Sequence, residues 1–333
     1  MTIYIRDNVD FLKGPPKKFS QRSTIQHWQL RDLVLCPTSK KQFLYVNQNL
    51  VNFYDTETQQ TSPAMRDIAF SPTSVTAGYG YLAAGGQRSQ LMVRKLDSDW
   101  TAQMNVGGSI NNALSISQHA GQIRILVCNN DETIKIYSLP DLQRVTTITF
   151  PTAVNYAAVS PDGRKLIAVG DSSQVIMYNI TNSGNYEKVA SMTASSDAGF
   201  SCAWNQSSER FAVASQDGYV SVWDIRSTEK MVKIPTNQNP QVKGACRCVK
   251  FSPSGSMDLL AFSEHVSYVN IVDARSFNER QTIRASPVGS DQHITGLAFS
   301  PDSQALFVGL EHSMLQYEID TVGRRCFADG SLI

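Results

Sequence analysis

Each thing missing from this chain of 333 residues removes a class of function. No run approaches the ~18 apolar residues that a membrane-spanning helix needs, and the opening Met1-Thr-Ile-Tyr-Ile-Arg-Asp7 lacks the apolar stretch of a secretion signal. The expectation is a protein without a membrane partner, in the cytoplasm, the nucleus or both. Charge is scarce: 18% of residues are charged and the net charge is +1, which gives no electrostatic footprint for nucleic acid. Catalytic signatures are absent too. There is no His-Glu-x-x-His, no Gly-x-Ser-x-Gly, no Cys-x-x-Cys and no phosphate loop opening a helix. Gly85-Gly86-Gln87-Arg88-Ser89 falls between two strand patterns and is read as a hairpin turn. The five histidines are scattered, and the six cysteines, Cys36, Cys128, Cys202, Cys246, Cys248 and Cys326, have no second pair at ligand spacing. No catalytic residue, metal or cofactor is therefore assigned, and the cysteines are read as small buried hydrophobes.

What the chain does have is a repeat. Phe70-Ser71-Pro72, Val159-Ser160-Pro161, Phe251-Ser252-Pro253 and Phe299-Ser300-Pro301 each close an apolar run, and a second alternating run follows. The fullest copy runs from Phe211 through the Asp217-Gly218 turn to Trp223-Asp224. Aligning the copies on Pro37, Pro72, Gln118, Pro161, Gln206, Pro253 and Pro301 gives seven units at steps of 35 to 48 residues. A third run recurs in all of them: Val51–Asp55, Leu91–Lys95, Ile134–Ser138, Val175–Asn179, Val220–Asp224, Val269–Asp273 and Leu315–Glu318. Each alternates apolar and polar residues as a half-buried strand does. Such a unit resembles a blade of a WD40 propeller, which needs four short strands in roughly 40–45 residues. The expected fold is all-β, a seven-bladed WD40 β-propeller over residues 25–333, with 1–24 as a lead-in and a candidate closing strand. Closure of the ring is expected from Thr2–Arg6 or from the region of Phe327, and Lys13–Lys18 with its two prolines is read as a solvated lead-in.

The mouth of the central channel supplies the candidate site. Six residues before each aligned turn stand Arg31, Arg66, Asn112, Asn155, Phe200, Arg247 and Thr295, a ring without aliphatics where strand packing favours them. A second ring reads Asn47, Gln87, Asn130, Asp171, Gln216, His265 and Glu311, all polar. Arginines suit bidentate capture of a carboxylate or phosphate, so the mouth is expected to bind an acidic, phosphorylated or terminal segment of a protein partner. Among the acids, Asp32, Asp67, Asp171 and Glu311 are the groups suited to an α-amine. In the structural alternative, Arg31 and Arg66, each followed by an acid, tie neighbouring blades together. A scaffold contacting other subunits through blade edges and a hydrolase hidden in the channel remain the competing functional readings.

Longer stretches carry a narrower resemblance. Trp28–Val34, Leu82–Gly86, Val154–Gly163, Phe200–Trp204, Gln216–Arg226 and Phe299–Gly309 are similar to a fungal and plant family of single-propeller WD-repeat proteins. A yeast relative in that family is an exchangeable substrate receptor of the GID (CTLH-type) ubiquitin ligase that recognises protein N-termini. The resemblance implies protein partners, among them ligase subunits and substrate N-termini. This chain has no long insertion to serve as a ligase-anchoring arm, which leaves the N-terminal lead-in or Arg324–Ile333 for that role.

Overall fold

In the computed structural model, which describes residues 5–7, 9–236, 244–254 and 257–322, the chain forms seven four-stranded antiparallel sheets. They are the seven blades of a β-propeller. The innermost strands are Val34–Leu35, Ser74–Gly78, Asn111–His119, Val154–Val159, Gly199–Trp204, Cys248–Phe251 and Ile294–Phe299, and neighbouring ones pack side by side around the channel. All seven third-run segments read from the sequence are third strands. Their alternation buries one face against each neighbouring blade, so the core is a set of apolar wedges between sheets. In the fifth blade Phe211 and Trp223 stack with centroids 5.1 Å apart, and Trp204 Nε1 donates to Ala158 O of the fourth blade. Burying one such ring is worth about 1.5–3 kcal/mol.

Closure comes from within the 1–24 lead-in, though from its lysine-bearing stretch and not from Thr2–Arg6. Leu12–Phe19 is the outer strand of the seventh blade, antiparallel to Met314–Ile319, so the first strand of the chain completes the last sheet. Leu12 pairs with Ile319, and Phe19 packs on Phe43 and Tyr54 of the first blade. The lysines that suggested a solvated lead-in are the outward residues of this strand. Register shifts between Lys13 and Lys17, where Gly14 has φ 61° and two prolines follow. Lysine and proline on an outer strand are the means by which proteins blunt an edge against further pairing. Of Thr2–Arg6, Arg6 does not join the seventh blade but bridges to Glu279 beside the sixth. Phe327 lies outside the described residues, as does Cys326 with the rest of Arg324–Ile333. The other five cysteines are buried, and burial pushes the Cys36 thiol up to about 12.

Candidate functional site

Between the closing strand and the first blade, residues 20–33 cross the channel mouth and plug it. Thr24 N donates to Val46 O of the first blade, and Gln87 of the second donates its side-chain amide to Gln26 O. His27, buried, meets Asn112 Oδ1 of the third blade at 3.2 Å. Its other nitrogen, Nδ1, accepts from both Gln29 N and Leu30 N at 3.0 Å, which fixes the neutral ring with its proton on Nε2, donated to Asn112. Burial, with Arg31 and Arg247 nearby, lowers the imidazole to about 4 against the Asn112 hydrogen bond. Farther along, Gln29 reaches Gln216 of the fifth blade and Leu30 packs on Phe200 and Ala245. Trp28, stacked on His27 with centroids 4.2 Å apart, points outward and is 64% exposed.

Two of the three mouth arginines hold this plug. Arg31 Nη1 donates to His27 O at 2.6 Å and to Leu30 O at 2.8 Å, while Nη2 reaches Trp28 O. Burial and then Arg247 pull its guanidinium down to about 10, partly offset by Glu311, so it stays charged at neutral pH. Arg247 Nη1 donates to Gln29 O at 2.9 Å, Nη2 donates to His265 Nδ1, and the guanidinium lies 4.8 Å from the Phe200 ring centre. A charged donor on a carbonyl contributes about 1.5–3 kcal/mol. The arginines thus have backbone oxygens where an anionic partner was expected.

Arg66 is elsewhere. Phe70-Ser71-Pro72 precedes the innermost strand of the second blade instead of following it, so alignment on Pro72 displaced that blade's ring position. The pairings Ser74↔Gly85 and Val34↔Tyr45, matched to Ser201↔Ala214 and Cys202↔Val213 in the fifth blade, put Thr73 and Asp32 in the ring. Arg66 and Asp67 are exposed beside the outer strands of the first two blades, in a groove with Arg94 and Asp99.

Three further ring residues stitch blades. Thr73 Oγ1 donates to Asn111 O, Asn112 Nδ2 to Val154 O and Asn155 Nδ2 to Gly199 O, each on the next blade. The second ring holds what lies beside it: Asn130 and Asp171 accept from the first-ring Asn112 and Asn155, Gln216 accepts from Gln29 of the plug, and Glu311 accepts from His293 N. Asp32 spans the bore to the fourth and sixth blades, accepting from Tyr156 Oη at 3.0 Å and from Lys250 Nζ at 2.7 Å. Burial lowers the Lys250 ammonium, but Asp32 and Tyr156 outweigh it and hold the group well above its ordinary value. Sequence reasoning missed Lys250, Tyr156 and the plug. Trp28, set among the polar residues His27, Gln29 and Arg31, was the visible sign.

Comparison with known proteins agrees with the architecture. A WD domain, G-beta repeat model matches residues 187–224, from the outer strand of the fourth blade to the third strand of the fifth. An uncharacterised protein domain (DUF2415) matches 244–284, the sixth blade. Uncharacterized protein C4G3.03 of Schizosaccharomyces pombe is 30% identical over 330 residues, covering 96% of this chain and 95% of that protein. Uncharacterized protein YLR149C of Saccharomyces cerevisiae is 27% identical over 226 residues, 56% of this chain and 30% of that protein.

Proposed function

We propose that this chain, which belongs to the family of the fission-yeast protein C4G3.03, is a non-enzymatic protein-binding propeller that meets its partner with the plugged face, Trp28 at the centre. WD40 propellers are generally binding modules, and protein partners are consistent with the fold. The observation that carries the reading is an indole 64% exposed at the middle of a polar face, yet fixed from below by His27 and through its own carbonyl by Arg31. A large, pre-positioned aromatic loses little conformational freedom on binding, and tryptophans dominate the energetics of protein interfaces. Because the plug fills the mouth, a partner lies across the face and does not thread the channel.

The finer form of this reading is a recognition subunit of a GID (CTLH-type) ubiquitin ligase acting in the cytoplasm or nucleus and holding a partner's terminus or acidic segment. It rests on the family resemblance, with Asp171 and Glu311 of the second ring as groups suited to an α-amine. The test is affinity purification from the native cells with wild type and Trp28→Ala, after confirming equal melting. Loss of an anchor of about 2 kcal/mol weakens a partner roughly thirtyfold, and its yield falls accordingly. Ligase subunits among the lost proteins support the finer form. Recovery of the same partners at the same yield refutes the plugged face as the binding surface.

A further inference from the structure

Where the ring closes, the closing strand and the first blade enclose a groove of about 200 Å³, distant in function from the plug. Lys13 and Lys17 enter it from the closing strand, Lys40 and Lys41 from the turn after the first blade's innermost strand. Two carboxylates answer these four ammonium groups. Lys13 lies 3.4 Å from Glu318 and Lys41 lies 2.8 Å from Glu57, both pairs well exposed. Lys40 donates to the neutral Gln304 side chain, and exposed Lys17 has no carboxylate within 4.0 Å among the described residues. The groove therefore carries a surplus of two cations in a chain whose net charge is only +1.

We infer that this seam groove docks an acidic, Asp/Glu-rich segment of a partner protein. Three features select that occupant. Pro15 and Pro16 deny the strand's edge the N–H groups that would pair with an added strand, so recognition falls to side chains and charge. The cations are all lysines, mobile point charges that suit a flexible string of carboxylates, whereas arginine is the residue of planar phosphate recognition. Among the described residues no aromatic side chain lines the groove, so it offers no platform on which nucleic-acid bases could stack. The inference is independent of Trp28, which lies on the mouth face. It has a structural corollary: a bound segment touching Lys17 and Lys40 at once ties the closing strand to the first blade and stiffens the seam.

The experiment uses the whole protein and a fluorescent oligoglutamate peptide, followed by anisotropy at about 50 mM salt, where surface charges are weakly screened. Reversing both cations that have no carboxylate partner among the described residues, Lys17→Glu with Lys40→Glu, is expected to weaken binding at least tenfold. Lys17→Glu alone, which leaves every seam hydrogen bond in place, is expected to weaken it about threefold. Lys18→Glu, on the same strand but outside the groove, is expected to weaken binding clearly less than Lys17→Glu, and the peptide raises the wild-type melting temperature. The inference is overturned if the wild type does not bind the peptide, or if Lys18→Glu weakens it as much as Lys17→Glu. Tighter binding of oligouridine or of phosphatidylserine vesicles through the same two lysines overturns it as well.

Discussion

In the fifth blade the innermost strand runs six residues from Gly199 to Trp204; in the first, the matching strand is two residues long, Val34–Leu35. The fifth blade's motif residues go into packing, with Phe211, Trp223 and Trp204 in one apolar wedge and Trp223 fully buried. In the first blade, the residues ahead of the short strand leave the sheet and cross the mouth, where His27, Arg31 and Asp32 bond to plug carbonyls and to other blades. Both blades have the same four-stranded order. The difference teaches that an intact repeat is a stability element, and that the unit straddling the join between chain start and ring is where polar chemistry enters the channel.

The contrast is broken most severely at its apolar end. Trp223→Ala should lower unfolding free energy by about 3–5 kcal/mol, a ring-sized cavity in a wedge with no solvent to relax into. Urea denaturation measures it, and a variant within about 1 kcal/mol of wild type would show that the blade's stability does not depend on its motif aromatic.

At the polar end, Asp32→Ala removes the acceptor that compensates Lys250 inside the bore. The expected loss is about 2–3 kcal/mol, below the usual cost of orphaning a buried charge because the two side chains retain 16% and 24% exposure. Adding Lys250→Met should recover most of it, since the unpaired cation is then gone. Failure of the double variant to recover would mean that Asp32 acts through Tyr156 and not through the ion pair.

The smallest effect is the dependence of the plug on pH. His27 is held near 4, well below its ordinary 6.5, so the unfolded chain takes up a proton that the folded one refuses. By linkage the resulting stability is complete above pH 6.5 and is lost as pH falls toward 4, amounting to roughly 1 kcal/mol at pH 5.5. His27→Asn, which keeps a side-chain acceptor for the plug amides, should shrink the drop in melting temperature between pH 7.5 and pH 5.5 by a degree or two. His119, lowered to about 4 chiefly by burial, leaves a residual slope in both proteins.

Much of the fold was legible because it is local. The alternation in Val220–Asp224 and its six counterparts marks third strands, since a half-buried strand needs period two wherever it lies. The ring was legible only where letters and register coincide. In the third, fourth, fifth and seventh blades a bulge sits at the ring residue, and counting back from the turn finds Asn112, Asn155, Phe200 and Thr295 correctly. In the first blade the count lands one residue early, on Arg31, and in a strand a shift of one exchanges the two faces. In the second, Phe70-Ser71-Pro72 repeats the letters of a turn that is not there.

The sequence by itself determined that seven four-stranded units follow one another and that the channel mouth is polar, because strand periodicity and side-chain type belong to short segments. Tertiary structure decided what those polar groups face. Arg247 finds the carbonyl of Gln29 and Lys250 the carboxylate of Asp32, each 218 positions away, and Lys13 meets Glu318 across 305. Contacts of that span exist only once the ring has closed on its own first strand, and closure is what turned an expected anion site into a plugged mouth and a solvated lead-in into a lysine-lined seam.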